Sequence, residues 1–337
     1  MKSLIPVLPL LALSLVACDK AKNLINQTKS TVKDQIIAKS GGDKLAQAND
    51  EFQKLVDQTP EGVIFRKDLP FPSHLEVKTV RRRELSVRLS QTSAIEKRMD
   101  VIKGNHTSIN ELERTDNQVR YTLKETVFEI PSTDPKVEPQ KVADPFTQTP
   151  PSTKPVTFIK SGKAWKISER ADFHSAVLAA QVAPVLDELL IENALSSRSL
   201  WFAKHRIKIG HEFDVTGDAL SMLLSGNAKG SLHLKFEAME AVHGQPCGVF
   251  SVKGDYTRQD FPDFSGNLTD EEVSIQSGKL WLSLIYPVIL KEELDTIQTF
   301  KSGGNGGLAG RAQGNIKLTV TREWKPKTSA AIPTPAG

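Results

Sequence analysis

The sequence predicts an α+β fold that is mostly antiparallel β-sheet, with an N-terminal helical stalk and one helical segment near residues 172–196. Three observations carry this expectation. Apolar and polar residues alternate with period two over much of 61–130 and 207–320, as strands with one wet face do. Two stretches instead space their apolar residues by three and four, as helices do. Hydrophobic residues make up 39% of the 337 and charged ones 25%, which excludes a wholly disordered or fibrous chain and leaves length for about two domains. Aromatics are only 6%, so the core must rest on aliphatic side chains.

The elements follow in order. Over 18–58, Leu24, Ile25, Val32, Ile36 and Ile37 fall near one helical face, and Gly41-Gly42 breaks the run. Asp43 is placed to cap a second helix carrying Leu45, Ala48, Phe52, Leu55 and Val56, which Pro60 and Gly62 end. Residues 60–130 read as antiparallel sheet, with Leu75, Val77 and Thr79, then Leu85, Val87 and Leu89, then Val119, Tyr121 and Leu123 on alternating positions. Residues 131–155 hold seven of the 19 prolines, too dense for a strand or helix interior, and predict an extended linker.

A β-rich α+β domain is expected over 156–324. Asp172 opens its helical segment, which carries Val182, Val185, Leu186 and Leu189; Pro184 inside it predicts a kink or two short helices. Leu232, Leu234 and Phe236 alternate with His233 and Lys235, and His243-Gly244-Gln245-Pro246 reads as a hairpin turn. A short helix is expected over Ile289, Leu290 and Leu294, and a closing strand over Ile316, Leu318 and Val320. Residues 325–337 predict a disordered tail.

The first residues form an address. Lys2 precedes an apolar run from Leu4 to Ala17 broken only by Ser14, too short for a span of about 20 residues. A charged start, a short apolar core and small residues at its end make a secretory signal. The sequence Leu15-Val16-Ala17-Cys18 resembles the lipobox of bacterial lipoproteins. The resemblance implies a signal peptide over 1–17, cleavage after Ala17, and diacylation of Cys18. It implies a cell-envelope protein held on a bacterial membrane by its N-terminal lipid, facing the periplasm or the exterior. Further on, Ile209-Gly210-His211-Glu212-Phe213, the strand Leu232–Phe236 and Val242-His243-Gly244-Gln245-Pro246-Cys247 are similar to a family of uncharacterised bacterial envelope proteins. That similarity implies an antiparallel body and no assigned activity.

Chemistry is sparse. Two cysteines cannot build a disulfide framework. A net charge of +4 is too small over this length to predict a nucleic-acid partner. Cys247, with His243 four residues before it and His233 across the hairpin, is the nearest approach to a reactive set. Alternation turns His233 to the wet face, and the spacing is not that of a zinc site, so a structural thiol is the better reading. Arg81-Arg82-Arg83, with Arg88, Arg98 and Lys103 following, is interleaved with Glu76, Glu84 and Glu96 and reads as a mixed solvated face. Asp260, Asp263, Asp270, Glu271 and Glu272 read as an acidic loop. The glycine-rich 303–310 lacks the Gly-Lys-Ser/Thr ending of a phosphate loop.

The expectation is therefore no catalytic constellation, no metal and no cofactor. The leading function is non-enzymatic binding or scaffolding, with an envelope protein or an apolar ligand as partner. The alternative is a carrier of a lipid or other apolar ligand in a curved sheet, covered by the helix near 172–196. A second alternative is an envelope enzyme using Cys247.

Overall fold

The computed structural model describes residues 48–91, 96–98, 102–132, 137–142, 154–162, 164–168, 176–196, 205–224, 227–262, 268–302 and 310–327. Ala17, Cys18 and most of the expected stalk lie outside these residues. The described stalk end holds helix α1 (Asp50–Gln53) and then turns into a hairpin of β1 (Asp57–Thr59) and β2 (Gly62–Ile64). The predicted helix through Val56 is thus cut short. Arg206 bonds Asp57 Oδ1 at 2.6 Å, and Ile207 bridges Val63, so tertiary partners pull this segment into strand.

The remaining strands form one sheet of 13, and every pair in it is antiparallel. In chain order they are β3 (His74–Gln91), β4 (Glu96–Arg98), β5 (Ile102–Thr115), β6 (Gln118–Ile130), β7 (Gln140–Val142), β8 (Val156–Ser161) and β9 (Ala164–Ile167). They continue as β10 (Glu212–Thr216), β11 (Ala228–Val242), β12 (Gln245–Pro262), β13 (Leu268–Ser283), β14 (Ile289–Ser302) and β15 (Gly310–Pro326). The spatial order is β10-β11-β12-β13-β14-β15-β3-β5-β6-β8-β9, with β4 added on β3 and β7 on β6. Most neighbours are also successive in the chain. β3 with β5 and β6 with β8 each skip one short strand, and the long-range exception is β15 against β3, which pairs Gly310–Pro326 with Leu75–Gln91. That pairing merges the regions 60–130 and 156–324 into one sheet.

Several expectations change here. The proline-rich interval contributes β7, because its proline-free stretch Gln140–Val142 finds a partner in β6. The expected helix over Ile289–Leu294 is the start of β14, held by β13 on one side and β15 on the other. Part of the expected acidic loop is β13, where Glu271 is buried and accepts a 2.7 Å bond from Arg258 Nε across the strand pair. The first residues of the expected tail are ordered instead: β15 runs to Pro326, and Lys327 Nζ donates to Glu111 at 2.6 Å.

Alternation sets the two faces. Cross-strand partners share a face, so Leu75, Val77, Leu112, Tyr121, Val119 and Phe158 form one apolar patch on β3, β5, β6 and β8. Leu232, Leu234, Phe236, Phe250, Val252 and Leu280 form a second on β11 to β13. Helix α2 (Ala176–Ser196) covers both, with Val185 and Leu189 on the first patch and Ala194 and Leu195 on the second. We call the face under α2 the inner face. The helix is continuous through Pro184, so the predicted break does not occur. A proline inside a helix costs about 3 kcal/mol, and burial of Val185, Leu189 and Leu195 offsets it. Helix α3 (Gly217–Leu223) adds Leu220 to the second patch.

Two buried ion pairs fix α2 on the sheet. Arg114 of β5 grips Glu192 through both Nη atoms, at 3.1 and 2.7 Å. Arg322 of β15 donates to Glu188 at 2.8 Å and to Glu292 of β14 at 2.6 Å. Burial disfavours the Arg322 cation, but Glu292 and Glu188 outweigh it and raise its pKa above the ordinary value. Removing one partner of a buried pair leaves the other charge uncompensated, at about 3 kcal/mol or more. Glu192→Ala is therefore expected to lower the urea unfolding free energy by about 3 kcal/mol. Glu212→Ala, which removes the exposed Lys235 pair, is expected to leave the midpoint unmoved.

Acid should loosen the β15 end. Lys124 and Lys327 hold the Glu111 carboxyl down at about 2 against an ordinary 4.5. A depressed folded pKa contributes stability that is present above the unfolded value and lost as pH falls. The unfolding midpoint is expected to fall between pH 4.5 and about 2, and to fall less in Glu111→Gln.

Candidate functional site

The register that turns the apolar patches inward also aligns polar residues in rows on the outer face. Val252, Gly278, Leu294, Leu318, Arg83 and Gly104 are successive cross-strand partners on β12, β13, β14, β15, β3 and β5. Their backbone floors an outer-face trough of about 600 Å³ that crosses six adjacent strands, with Pro131 at one end. The outward residues on either side of this row line it, among them Arg82, Thr319 and Lys279 on one side and Glu84, Lys317 and Asp295 on the other. Val252 is buried, and Leu294 and Leu318 are half-buried on the opposite, inner face.

Two glycines of this row make room for neighbours on the inner face. A Cβ at Gly278 would stand 2.7 Å from Leu294 Cδ2 and from Val252 Cγ1. A Cβ at Gly104 would stand 2.7 Å from the Phe128 ring. A side chain at either position would displace these inner-face neighbours.

Lysine–carboxylate pairs line the trough, with Lys103 to Glu84 at 3.1 Å and Lys317 to Asp295 at 3.9 Å, and its Glu293 is held by Lys291 at 2.7 Å. Arg83 points to the other face. Its Nε is buried and has no hydrogen-bond partner among the described residues. Burial, and to a lesser degree the neighbouring Arg81, lowers its pKa to about 10, so it stays charged at neutral pH. The next inner-face row brings His106 opposite Arg81, and His106 Nε2 lies 2.8 Å from Thr126 Oγ1. The basic run is therefore split by the strand. Arg82 is exposed on the outer face, while Arg81 and Arg83 share the inner face with Leu75, Val77 and Leu85. Sequence reasoning treated the run as one solvated face. The parity of β3 carried the signal, since 75, 77, 81, 83 and 85 are all odd.

The residues singled out for chemistry are not brought together. Cys247 is fully buried among Val242, Val249, Trp281 and Leu290, and burial pushes its thiol far above the ordinary range. Its Sγ is 3.5 Å from the Gln245 carbonyl. A thiol so buried is a poor nucleophile. His243 occupies the exposed His243-Gly244 turn at φ 47°, where Val242 and Gln245 pair as hairpin ends. His233 lies on the exposed face of β11, with Nδ1 2.9 Å from Asp214. It pairs with Lys253, six residues along β12 from Cys247, or roughly 20 Å away. Among the described residues no three His, Cys, Asp or Glu side chains gather as a metal site.

No family model and no curated protein matches the sequence. Among solved structures the chain is similar to lipovitellin, described by its lipid–protein interactions, at 9% identity and a TM-score of 0.36. That match covers 77% of this chain and 26% of lipovitellin, so the chain spans about a quarter of that protein. It is also similar to an outer membrane channel from Pseudomonas putida F1, at 8% identity and a TM-score of 0.18, over 79% of this chain and 99% of the channel. At these scores neither likeness carries an argument about fold or function.

In a Cys18→Ser chain, the remaining thiol is expected to resist Ellman's reagent while native. Labelling of Cys247 should track unfolding through a urea series. Stoichiometric labelling of the native chain would refute the buried placement.

Proposed function

We propose that this chain is a lipid-anchored cell-envelope protein that acts by binding, without catalysis, and that its trough takes an envelope protein partner. The observation that carries the binding role is the open trough on the outer face, floored by the backbone of six strands and lined by Lys103, Glu84, Lys317 and Asp295. Charges of both signs set along one concave row meet complementary groups of a partner and fix its register. The membrane anchor rests on the lipobox Leu15-Val16-Ala17-Cys18, which implies that Cys18 carries the lipid.

Two measurements test the two halves separately. A photo-crosslinker placed at Lys253 in the trough is expected to capture one envelope protein in intact bacteria. Lys317→Glu, which reverses a charge of the trough, should weaken that capture with an unchanged unfolding midpoint. Capture no greater than from an exposed position outside the trough, such as Ile159, would exclude the trough as the binding surface. In bacterial fractionation, Cys18→Ser should move the chain from the membrane to the soluble fraction; retention on the membrane would exclude the anchor.

A further inference from the structure

The outer-face trough carries more positive charge than it neutralises. Its cations, Arg82, Lys103, Lys253, Lys279 and Lys317, are all exposed, whereas its carboxylates, Glu84, Glu293 and Asp295, are half-buried. Two cations are paired inside the trough, Lys103 with Glu84 at 3.1 Å and Lys317 with Asp295 at 3.9 Å. Glu293 is held by Lys291 from beyond it. Lys279 reaches only Glu237, at 3.5 Å between two exposed groups. Arg82 and Lys253 have no carboxylate partner among the described residues. Positive charge is therefore left over at two places, Lys253 with Lys279 on β12 and β13, and Arg82 on β3.

These places are three to four strand spacings apart, or about 14–19 Å. The trough joins them across β14 and β15, at right angles to the strands. Every strand it crosses is paired on both sides, so an occupant finds no free ladder and is held through side chains. A polypeptide in extended form covers that span with about four to six residues. A uniform polyanion would set its charges against Glu84, Glu293 and Asp295 on the way, whereas a polypeptide can be acidic at the two ends of the span and neutral between them.

Resting on the reading of the trough as a protein-binding surface, we propose that it takes an extended acidic segment of the partner, with two carboxylates about five residues apart. One carboxylate meets the Arg82 guanidinium, whose fork matches its two oxygens. The other meets Lys253 and Lys279.

The test uses the purified full chain and fluorescein-labelled dodecapeptides of serine and threonine, read by anisotropy at low ionic strength. One peptide carries two glutamates five positions apart, a second has glutamine at both places, and a third has the two glutamates adjacent. The spaced-glutamate peptide is expected to bind about fivefold more tightly than the glutamine peptide, the size of two exposed ion pairs. The adjacent-glutamate peptide should fall between them. Arg82→Gln combined with Lys253→Gln should erase the preference for glutamate and leave the unfolding midpoint unmoved, because both side chains are exposed. Tetragalacturonate, a glycan with a carboxylate on every residue, should displace the labelled peptide less well than the unlabelled peptide does.

The outcomes separate the claims. Equal binding of the glutamate and glutamine peptides overturns the acidic assignment. A glutamate preference that survives in the Arg82 and Lys253 double variant overturns the placement of the two carboxylates. Displacement by tetragalacturonate as strong as by the unlabelled peptide overturns the polypeptide in favour of an acidic glycan. No binding by any peptide overturns the extended segment. Capture from the crosslinker at Lys253 would then leave a folded protein partner in the trough, and its absence would remove the protein-binding reading as well.

Discussion

The pairing of β15 with β3 is the constraint on which the rest of the molecule depends. It joins the last strand of the chain to the first strand of the main sheet, over Gly310–Pro326 and Leu75–Gln91. Without it the chain would hold two smaller sheets, each with an exposed long edge open to other strands. With it, both apolar patches share one face and one helix can cover both. The same register places Leu318 beside Arg83 and Arg322 beside Thr79. The trough and the anchor of α2 are therefore set by one ladder, on its two faces. A slip of one residue would turn every inner side chain outward.

The charges of the two faces are handled differently. Arg322 and Arg114 are compensated by carboxylates of α2 and β14, and they orient the helix. Where α2 lies over the inner face it brings Glu188 and Glu192 with it. On the outer face the carboxylates of the trough, Glu84 and Asp295, pair with the lysines Lys103 and Lys317 beside them.

Much of the fold was legible in the chain. The alternation of Leu232, Leu234 and Phe236, and of Leu75 and Val77, marked strands with one buried face, and the hairpin at His243-Gly244 was marked by its turn residues. The helix near 172–196 was marked by its apolar content. Several elements were misread or left unmarked, among them three where long-range partners overrode local pattern. Ile289–Leu294 resembles a helical turn until β13 and β15 flank it. Glu271 reads as loop until Arg258 neutralises it. Polar β5, with Asn105, Ser108 and Asn110, has little alternation of its own and is a strand because β3 and β6 enclose it.

The sequence by itself determined the class of the protein and its predominant secondary structure, because period-two burial is a local property of the backbone. It also determined that no catalytic motif stands out, since reactive sets need particular residue types that this chain lacks in any recognisable spacing. Only the tertiary structure decided which residues share the trough. Gly104, Arg83, Leu318 and Gly278 are separated by up to 235 residues along the chain and meet through strand register. It also decided that Arg83 points inward while Arg82 points out, and that Cys247 is core. Parity along one strand gives relative facing, but which face is covered depends on where a distant helix comes to rest.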